Sequence, residues 1–161
     1  MKKYAEWLQA LIKPKRIDNL LYEITGKRVA NKIINVIITT NGRCPYDADG
    51  SAFYIHYGAQ PKWIYQTAAH ECMHFIVHKY YWKQFRDAGL SDQQAHDIKE
   101  SLTVLLNPAF EAKWAGPEKG YPVHQNLRKD IEKIAKTTWD FDEIMTKTIK
   151  LFLRKYFEKV S

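Results

Sequence analysis

The chain has 161 residues, of which 45% are hydrophobic and 14% aromatic, and its formal net charge is +7. This composition excludes a disordered chain and predicts one packed domain over residues 1–161. Two cysteines are too few for a disulfide scaffold, and no apolar run approaches the length of a membrane span. The N-terminal segment also lacks the apolar stretch of a signal peptide, so we expect a cytoplasmic protein with no membrane partner.

The first 40 residues predict two short helices and a strand. Apolar residues at helical spacing predict a helix over residues 4–12, ended by Pro14. The same spacing predicts a second helix over residues 17–24, closed by Gly26. Residues 33–40 are rich in β-branched side chains and predict a strand.

A second strand and a long helix follow. Turn-forming residues at 41–42 and 47–50 precede an alternating stretch at residues 51–57, which predicts the second strand. A long apolar segment over about residues 62–85 then predicts a helix, which Gly89 breaks. We expect the strands to form a small, mostly antiparallel sheet packed on this long helix.

The rest of the chain is predicted to be helical. Ser91 and Gln94 have the spacing of a capping box, which predicts the start of the next helix. After a loop containing glycine and proline, two more helices are expected, one over residues 123–138 and one beginning at Asp140. They form a helical tail over about residues 121–161. The fold class is therefore α+β, with the sheet before the helical remainder.

The most informative motif lies inside the long predicted helix. The stretch from His70 to His74 reads His-Glu-Cys-Met-His, an H-E-x-x-H pattern. Two histidines four residues apart lie on one helix face, so both imidazoles can reach one metal ion. Glu71 lies beside them and can move a proton. The motif predicts a zinc site with His70 and His74 as ligands and Glu71 as a catalytic residue.

A catalytic zinc site needs a third protein ligand and an open position for water. The metzincin pattern would put a glycine and a third histidine where this chain has Val77 and Tyr80, so it does not apply. On the next predicted helix, Glu100 begins an apolar run, and a charged group against a buried face generally needs a partner such as a metal. We expect Glu100 to be the third ligand, with Asp97 and His96 as alternatives.

With His70, Glu71, His74 and Glu100, the sequence over about residues 33–107 resembles the gluzincins, zinc metallopeptidases with a glutamate ligand from a following helix. In size and element order it is most similar to the minimal gluzincins, or minigluzincins, and next to peptidases of the ImmA/IrrE type. The resemblance implies a zincin-like fold, Zn²⁺ as cofactor, and endopeptidase activity on peptides or proteins, with the zinc-bound water activated by Glu71.

The second predicted strand has a further similarity to this family. Ser51-Ala52-Phe53-Tyr54 is similar to the edge strand of thermolysin-like enzymes, which reads Asn-Ala-aromatic-aromatic and pairs with the substrate backbone. The resemblance implies that Ala52 and Tyr54 bind substrate, with the Ala52 main chain holding it in an extended form as an added strand.

Peptide hydrolysis also needs a donor for the developing oxyanion. The segment containing Tyr121 and His124 follows the ligand helix and places an aromatic residue and a histidine together. We therefore predict Tyr121 and His124 as catalytic residues, with Tyr156 and His78 as alternatives.

One position departs from the thermolysin-like pattern. Those enzymes carry an aspartate four residues after the glutamate ligand, where it orients a zinc histidine; here that residue is Val104. Partners of this kind hold a histidine in one tautomer. Thr103 and Asn107 are the nearby polar residues that can take this role.

A non-catalytic function is the alternative to a peptidase. The net positive charge suits nucleic acid, and a zinc ion can be purely structural. The alternative is therefore a basic module that binds zinc or nucleic acid without catalysis. Glu71 distinguishes the two, because a structural zinc site has no use for it.

Overall fold

The structure, a computed structural model, is α+β, as predicted, and describes residues 6, 8, 10, 12, 14–31, 33–41, 45–47, 49, 51–112 and 116–157. In chain order its main elements are α1 (Pro14–Thr25), β1 (Asn35–Thr39), β2 (Ala52–His56), α2 (Pro61–Tyr80), α3 (Trp82–Asp87), α4 (Asp92–Leu102), α5 (Asn107–Ala112), α6 (Gln125–Ala135) and α7 (Phe141–Phe152). Shorter helical segments are the 3-10 turns Thr103–Leu106 and Pro122–His124 and the π turn Leu153–Phe157.

The two strands pair in parallel, with Val36 opposite Phe53, so the prediction of a mostly antiparallel sheet is wrong. The reason lies in the connection between the strands, of which residues 40, 41, 45–47, 49 and 51 are described. Within it, Tyr46 forms an antiparallel bridge with Phe53, on the edge of β2 that faces away from β1. The chain has thus already reversed once before β2 begins, and a longer connection of this kind replaces the tight hairpin of an antiparallel pair.

Strand β2 packs against the hydrophobic core, whereas β1 lies nearer the surface. Phe53 and Ile55 are almost completely buried, and the Phe53 ring packs against Phe75 of α2 at a centroid distance of 6.4 Å. On β1, by contrast, Ile37 and Ile38 are exposed. The sheet therefore contacts α2, the helix that contains the H-E-x-x-H motif, through β2, and the Tyr46 ring packs on the same helix at a centroid distance of 6.0 Å from Phe75.

Helix α2 is the central helix of the fold. Pro61 lies at its start, where a missing N–H is harmless, and a continuous run from Ile64 to Val77 contains residues that are mostly buried. A helix that is apolar on most faces is expected to lie inside a protein. The predicted helix over residues 62–85 is interrupted at Tyr81, whose buried side chain packs on Phe141 of α7.

Two predicted helix starts are confirmed. The Ser91 hydroxyl accepts from the Gln94 backbone N–H, and the Gln94 side chain accepts from the Ser91 backbone N–H, which completes the capping box of α4. Asp140 likewise accepts from the backbone N–H of Glu143 at the start of α7. These caps satisfy N–H groups that have no partner within the helix.

One cluster of buried apolar side chains connects the N-terminal helix, the motif helix and the C-terminal helices; it includes Leu21, Met73, Leu102 and Ile131. Of the helix predicted over residues 4–12, the four described positions are helical, and the others lie outside the described residues. The predicted turns at 41–42 and 47–50 also lie partly outside them. Within the described residues, no helix has the length and apolar character needed to cross a membrane.

Candidate metal centre

His70 and His74 of α2 face Glu100 of α4, and one ligand atom from each residue lies within 4.8 Å of the other two. The Nε2 atom of His70 lies 3.4 Å from Oε2 of Glu100, and Nε2 of His74 lies 3.2 Å from Oε1. The three predicted ligands are therefore brought together by two helices. Asp97 and His96 do not belong to this group, which is drawn from the described part of the chain.

The donor set fits a divalent metal ion. His74 is 1% exposed; within the described residues its Nδ1 has no hydrogen-bond partner, and its Nε2, 3.2 Å from Oε1 of Glu100, makes no well-aligned hydrogen bond. A buried polar atom without a partner is costly, and a metal ion at Nε2 would remove that cost. Burial, followed by the charge of His70, holds the pKa of His74 well below its usual 6.5. The ring is therefore neutral, which is the form that binds metals.

His70 lies between two carboxylates. Its Nε2 faces Glu100, and its Nδ1 lies 3.1 Å from Oε1 of Glu118. Burial alone would lower the pKa of His70, but hydrogen bonds to Glu100 and Glu118 outweigh it and raise the pKa to about 10. The surroundings of His70 thus favour positive charge, and a metal ion at Nε2 must displace a proton.

Glu71 is 7% exposed, and its Oε2 has no hydrogen-bond partner in the described part of the chain. Burial raises its pKa from 4.5 to about 7, against the lowering effect of the charges on His70 and Lys99. A carboxyl group with a pKa near neutrality can both accept and release a proton at physiological pH. Glu71 therefore has the properties of a general acid–base.

These four residues lie in an open cleft of about 750 Å³. Its other walls are partly aromatic and include Tyr46, Trp63 and Tyr121. Trp63 and Tyr121 are 53% and 61% exposed, so their rings are accessible to a bound molecule. The volume is in the range of ligand-binding pockets and can accept a short stretch of peptide.

A buried lysine adjoins the predicted ligand. Lys99 is 1% exposed, and its Nζ donates to Oε1 of Glu100 at 2.8 Å and to the Tyr46 hydroxyl at 2.7 Å. The Tyr46 hydroxyl in turn lies 2.8 Å from Nε2 of His78, whose ring stacks on Trp82. Neither Lys99 nor Tyr46 was predicted from the sequence to belong to the site. The available signal for Lys99 was its position beside Glu100 at the start of the apolar run.

The structure brings only one of the two predicted oxyanion donors to the cleft. Tyr121 lines the cleft, whereas His124 is buried elsewhere and its Nε2 lies 3.2 Å from Oδ1 of Asp97. The alternative donor Tyr156 donates to Asp130, away from the cleft. The catalytic roles of Tyr121 and His124 stay predictions.

The main chain of the predicted substrate strand is already paired on its outer edge. Asp47 N–H donates to the Ala52 carbonyl at 2.9 Å, and Tyr54 N–H donates to the Pro45 carbonyl at 3.0 Å. An extended peptide that pairs with Ala52 and Tyr54 must therefore first displace the segment at residues 45–47. Substrate binding by this strand stays a prediction.

Where the thermolysin-like pattern has an aspartate, this chain has Val104, and the carboxylate that contacts a motif histidine is that of Glu118. Val104 is buried, and the hydrogen bonds described for Thr103 and Asn107 do not reach His70 or His74. Asn107 instead bonds to the backbone of Glu118, the residue whose carboxylate contacts His70. Glu118 was missed from the sequence, because it lies in a loop without a periodic pattern.

The site thus combines three converging ligand groups, a buried carboxyl group with a pKa near 7 and an open cleft. Such a combination can hold a metal ion, leave a coordination position open and move a proton beside it. Comparisons of the chain with protein-family models, with curated proteins and with solved structures found no match.

Proposed function

We propose that this protein is a zinc-dependent metallopeptidase that binds Zn²⁺ through His70, His74 and Glu100. The observation that carries the proposal is the convergence of these three ligand atoms within 4.8 Å, beside the buried carboxyl group of Glu71. Two histidines and a glutamate form a ligand set typical of catalytic zinc in peptidases, in which a further position stays open for water.

The proposed chemistry divides between the ion and the chain. When bound, Zn²⁺ would act as a Lewis acid, lowering the pKa of water and polarising the substrate carbonyl. Glu71 accepts a proton from the attacking water and delivers it to the nitrogen of the leaving amine. Its pKa of about 7 suits both transfers, because neither protonation state is strongly disfavoured at neutral pH.

The substrate side of the proposal rests on the cleft. A peptide can lie across the open cleft with its scissile carbonyl near the proposed metal ligands, and the exposed rings of Trp63 and Tyr121 can pack against its side chains. We propose internal peptide bonds of peptides or proteins as the substrate. A cytoplasmic location, expected from the sequence, belongs to the same proposal.

Metal removal and restoration test this function. The purified protein is stripped with a chelator and incubated with a mixed peptide library at neutral pH, with and without added Zn²⁺, and the products are identified by mass spectrometry. We expect cleavage only with Zn²⁺, because the metal activates the attacking water. Stoichiometric zinc binding without cleavage of any peptide would contradict the proposal. Salt-sensitive nucleic-acid binding in a gel shift would then favour the non-catalytic alternative.

A further inference from the structure

The loop over residues 116–121 is held in place by side chains although it contains no regular secondary structure. Asn107 bonds to both backbone groups of Glu118: its Oδ1 accepts from the N–H at 2.8 Å, and its Nδ2 donates to the carbonyl at 3.2 Å. Arg128 donates to the same carbonyl at 2.8 Å. Gln66 of the motif helix donates to the carbonyl of Gly116 at 2.7 Å, which fixes the start of the loop.

Arg128 connects this loop to the end of α4, the helix that contains Glu100. It is 3% exposed, donates to the Thr103 hydroxyl at 2.8 Å, and lies 4.0 Å from Oε1 of Glu118. Gly120 passes directly over its guanidinium group, where a Cβ atom would lie 2.8 Å from Cζ of Arg128. Gly120 also has a φ of +64°, a backbone conformation that disfavours any side chain. These contacts therefore hold the backbone of Glu118 in one position.

The carboxylate of Glu118 contacts His70, the first histidine of the motif. Oε1 of Glu118 lies 3.1 Å from Nδ1 of His70, while Nε2 of the same ring faces Glu100. Glu118 is not one of the three residues whose ligand atoms converge, and it contacts the other ring nitrogen of His70, so it is placed to orient His70 rather than to bind the same ion. A histidine that ligates through Nε2 commonly donates its Nδ1–H to a carboxylate, which fixes the tautomer and the ring orientation.

We propose that Glu118 is the positioning residue of the metal centre: its carboxylate accepts the Nδ1–H of His70 and holds Nε2 toward the metal. The inference rests on the proposed function for the existence of that centre. Glu118 would thereby supply from a distant loop the carboxylate that is missing where the chain has Val104. Asn107 and Arg128 contribute by holding the backbone of Glu118.

The test compares the zinc affinities of Glu118→Ala, Glu118→Gln and wild type, measured by competition with a chelating dye at neutral pH. We expect Glu118→Ala to bind zinc about 10–100-fold more weakly, as is typical when such a partner is removed. Glu118→Gln keeps an acceptor oxygen without the charge, so a smaller loss is expected. Glu111→Gln, at an exposed glutamate on α5, is the matched control and should bind zinc like wild type.

A spectroscopic measurement separates positioning from general stability. The visible absorption of Co²⁺-substituted protein depends on ligand geometry, so we expect the Glu118→Ala spectrum to change while that of Glu111→Gln does not. Asn107→Ala keeps the carboxylate but releases its backbone, and should change zinc affinity in the same direction by less. If Glu118→Ala does not fold, Glu118→Gln decides the test.

Two different negative results are distinguishable. Zinc affinities and Co²⁺ spectra of both Glu118 variants that match wild type would overturn the positioning role while leaving the metal centre intact. Failure of the wild-type protein to bind zinc would instead contradict the proposed function on which the inference rests.

Discussion

Lys99 and Glu100 are neighbours in sequence, and their charged groups meet inside the protein, with Nζ of Lys99 2.8 Å from Oε1 of Glu100. The lysine side chain is 1% exposed and the glutamate side chain 20%. The carboxylate predicted to bind metal is thus already paired with a buried cation. Because both a lysine and a metal ion supply positive charge to Glu100, their contributions to stability are expected to be coupled.

Lys99→Met tests this coupling. The substitution keeps an apolar chain of similar length but removes the lysine charge from beside Glu100, which then keeps only its histidine partners. We expect the metal-free protein to lose about 2–4 kcal/mol of unfolding free energy, somewhat less than for a fully buried pair. Zinc would replace part of the missing charge, so it should raise the melting temperature of the variant more than that of wild type. Lys83→Met, which removes an exposed lysine, is the control. Equal zinc-induced shifts in Lys99→Met and wild type would refute the coupling.

Glu100→Gln tests the third ligand. Glu100 is the carboxylate that faces both histidines, whereas Asp97 on the same helix faces His124. We expect Glu100→Gln to weaken zinc binding by more than about 100-fold, the upper range for loss of an outer partner. Asp97→Asn should retain wild-type affinity and is the matched control. Isothermal titration with Zn²⁺ measures both; retention of tight binding in Glu100→Gln would show that another residue is the ligand.

Asp142→Asn tests a contact that joins the motif helix to the C-terminal part. Asp142 accepts a hydrogen bond from Tyr81 and lies 3.1 Å from Nζ of Lys27. The Tyr81 hydrogen bond, with a contribution from Lys27, lowers the pKa of Asp142. Its stabilising contribution is therefore present above the unfolded pKa of about 3.9 and is lost as the pH falls through the folded value.

The expected loss for Asp142→Asn at neutral pH is about 1 kcal/mol, because the hydrogen bond is to a charged group that is largely exposed. Urea unfolding at a series of pH values should show this difference shrinking below about pH 4. Asp87→Asn is a matched control, since the Asp87 side chain is equally exposed, at 61%, and pairs only with exposed Lys83 among the described residues. A loss that stays constant down to acidic pH would exclude the charge of Asp142 as its source.

The parts of the fold that follow local rules were predictable. Helical spacing alone places His70 and His74 on one face, and the capping chemistry of Ser91 and Asp140 marks two helix starts. The position of Glu100 beside the two histidines was predictable because a charge at the edge of an apolar run needs a partner. Each of these inferences depends on residues a few positions apart.

The features that the sequence did not predict depend on how the chain runs between helices and strands. The direction of β2 depends on the connection between the strands, whose described residue Tyr46 bridges Phe53 and which no periodic pattern specifies. Tyr46 and Glu118 reach the site from loops, through partners distant in sequence such as Lys99 and His70. Composition and spacing carry no signal for such pairs, because their geometry is set only when the helices pack.

Peptide hydrolysis by zinc-loaded Glu71→Gln, compared with that by zinc-loaded wild type, tests the proposed peptidase activity most directly. The substitution preserves size and leaves the three proposed ligands unchanged, so both proteins should contain the same amount of zinc. We expect wild type to cleave peptides and Glu71→Gln to do so at least about 100-fold more slowly, because the proton acceptor is lost. Hydrolysis at the wild-type rate by Glu71→Gln, at equal zinc content, would contradict the proposed mechanism.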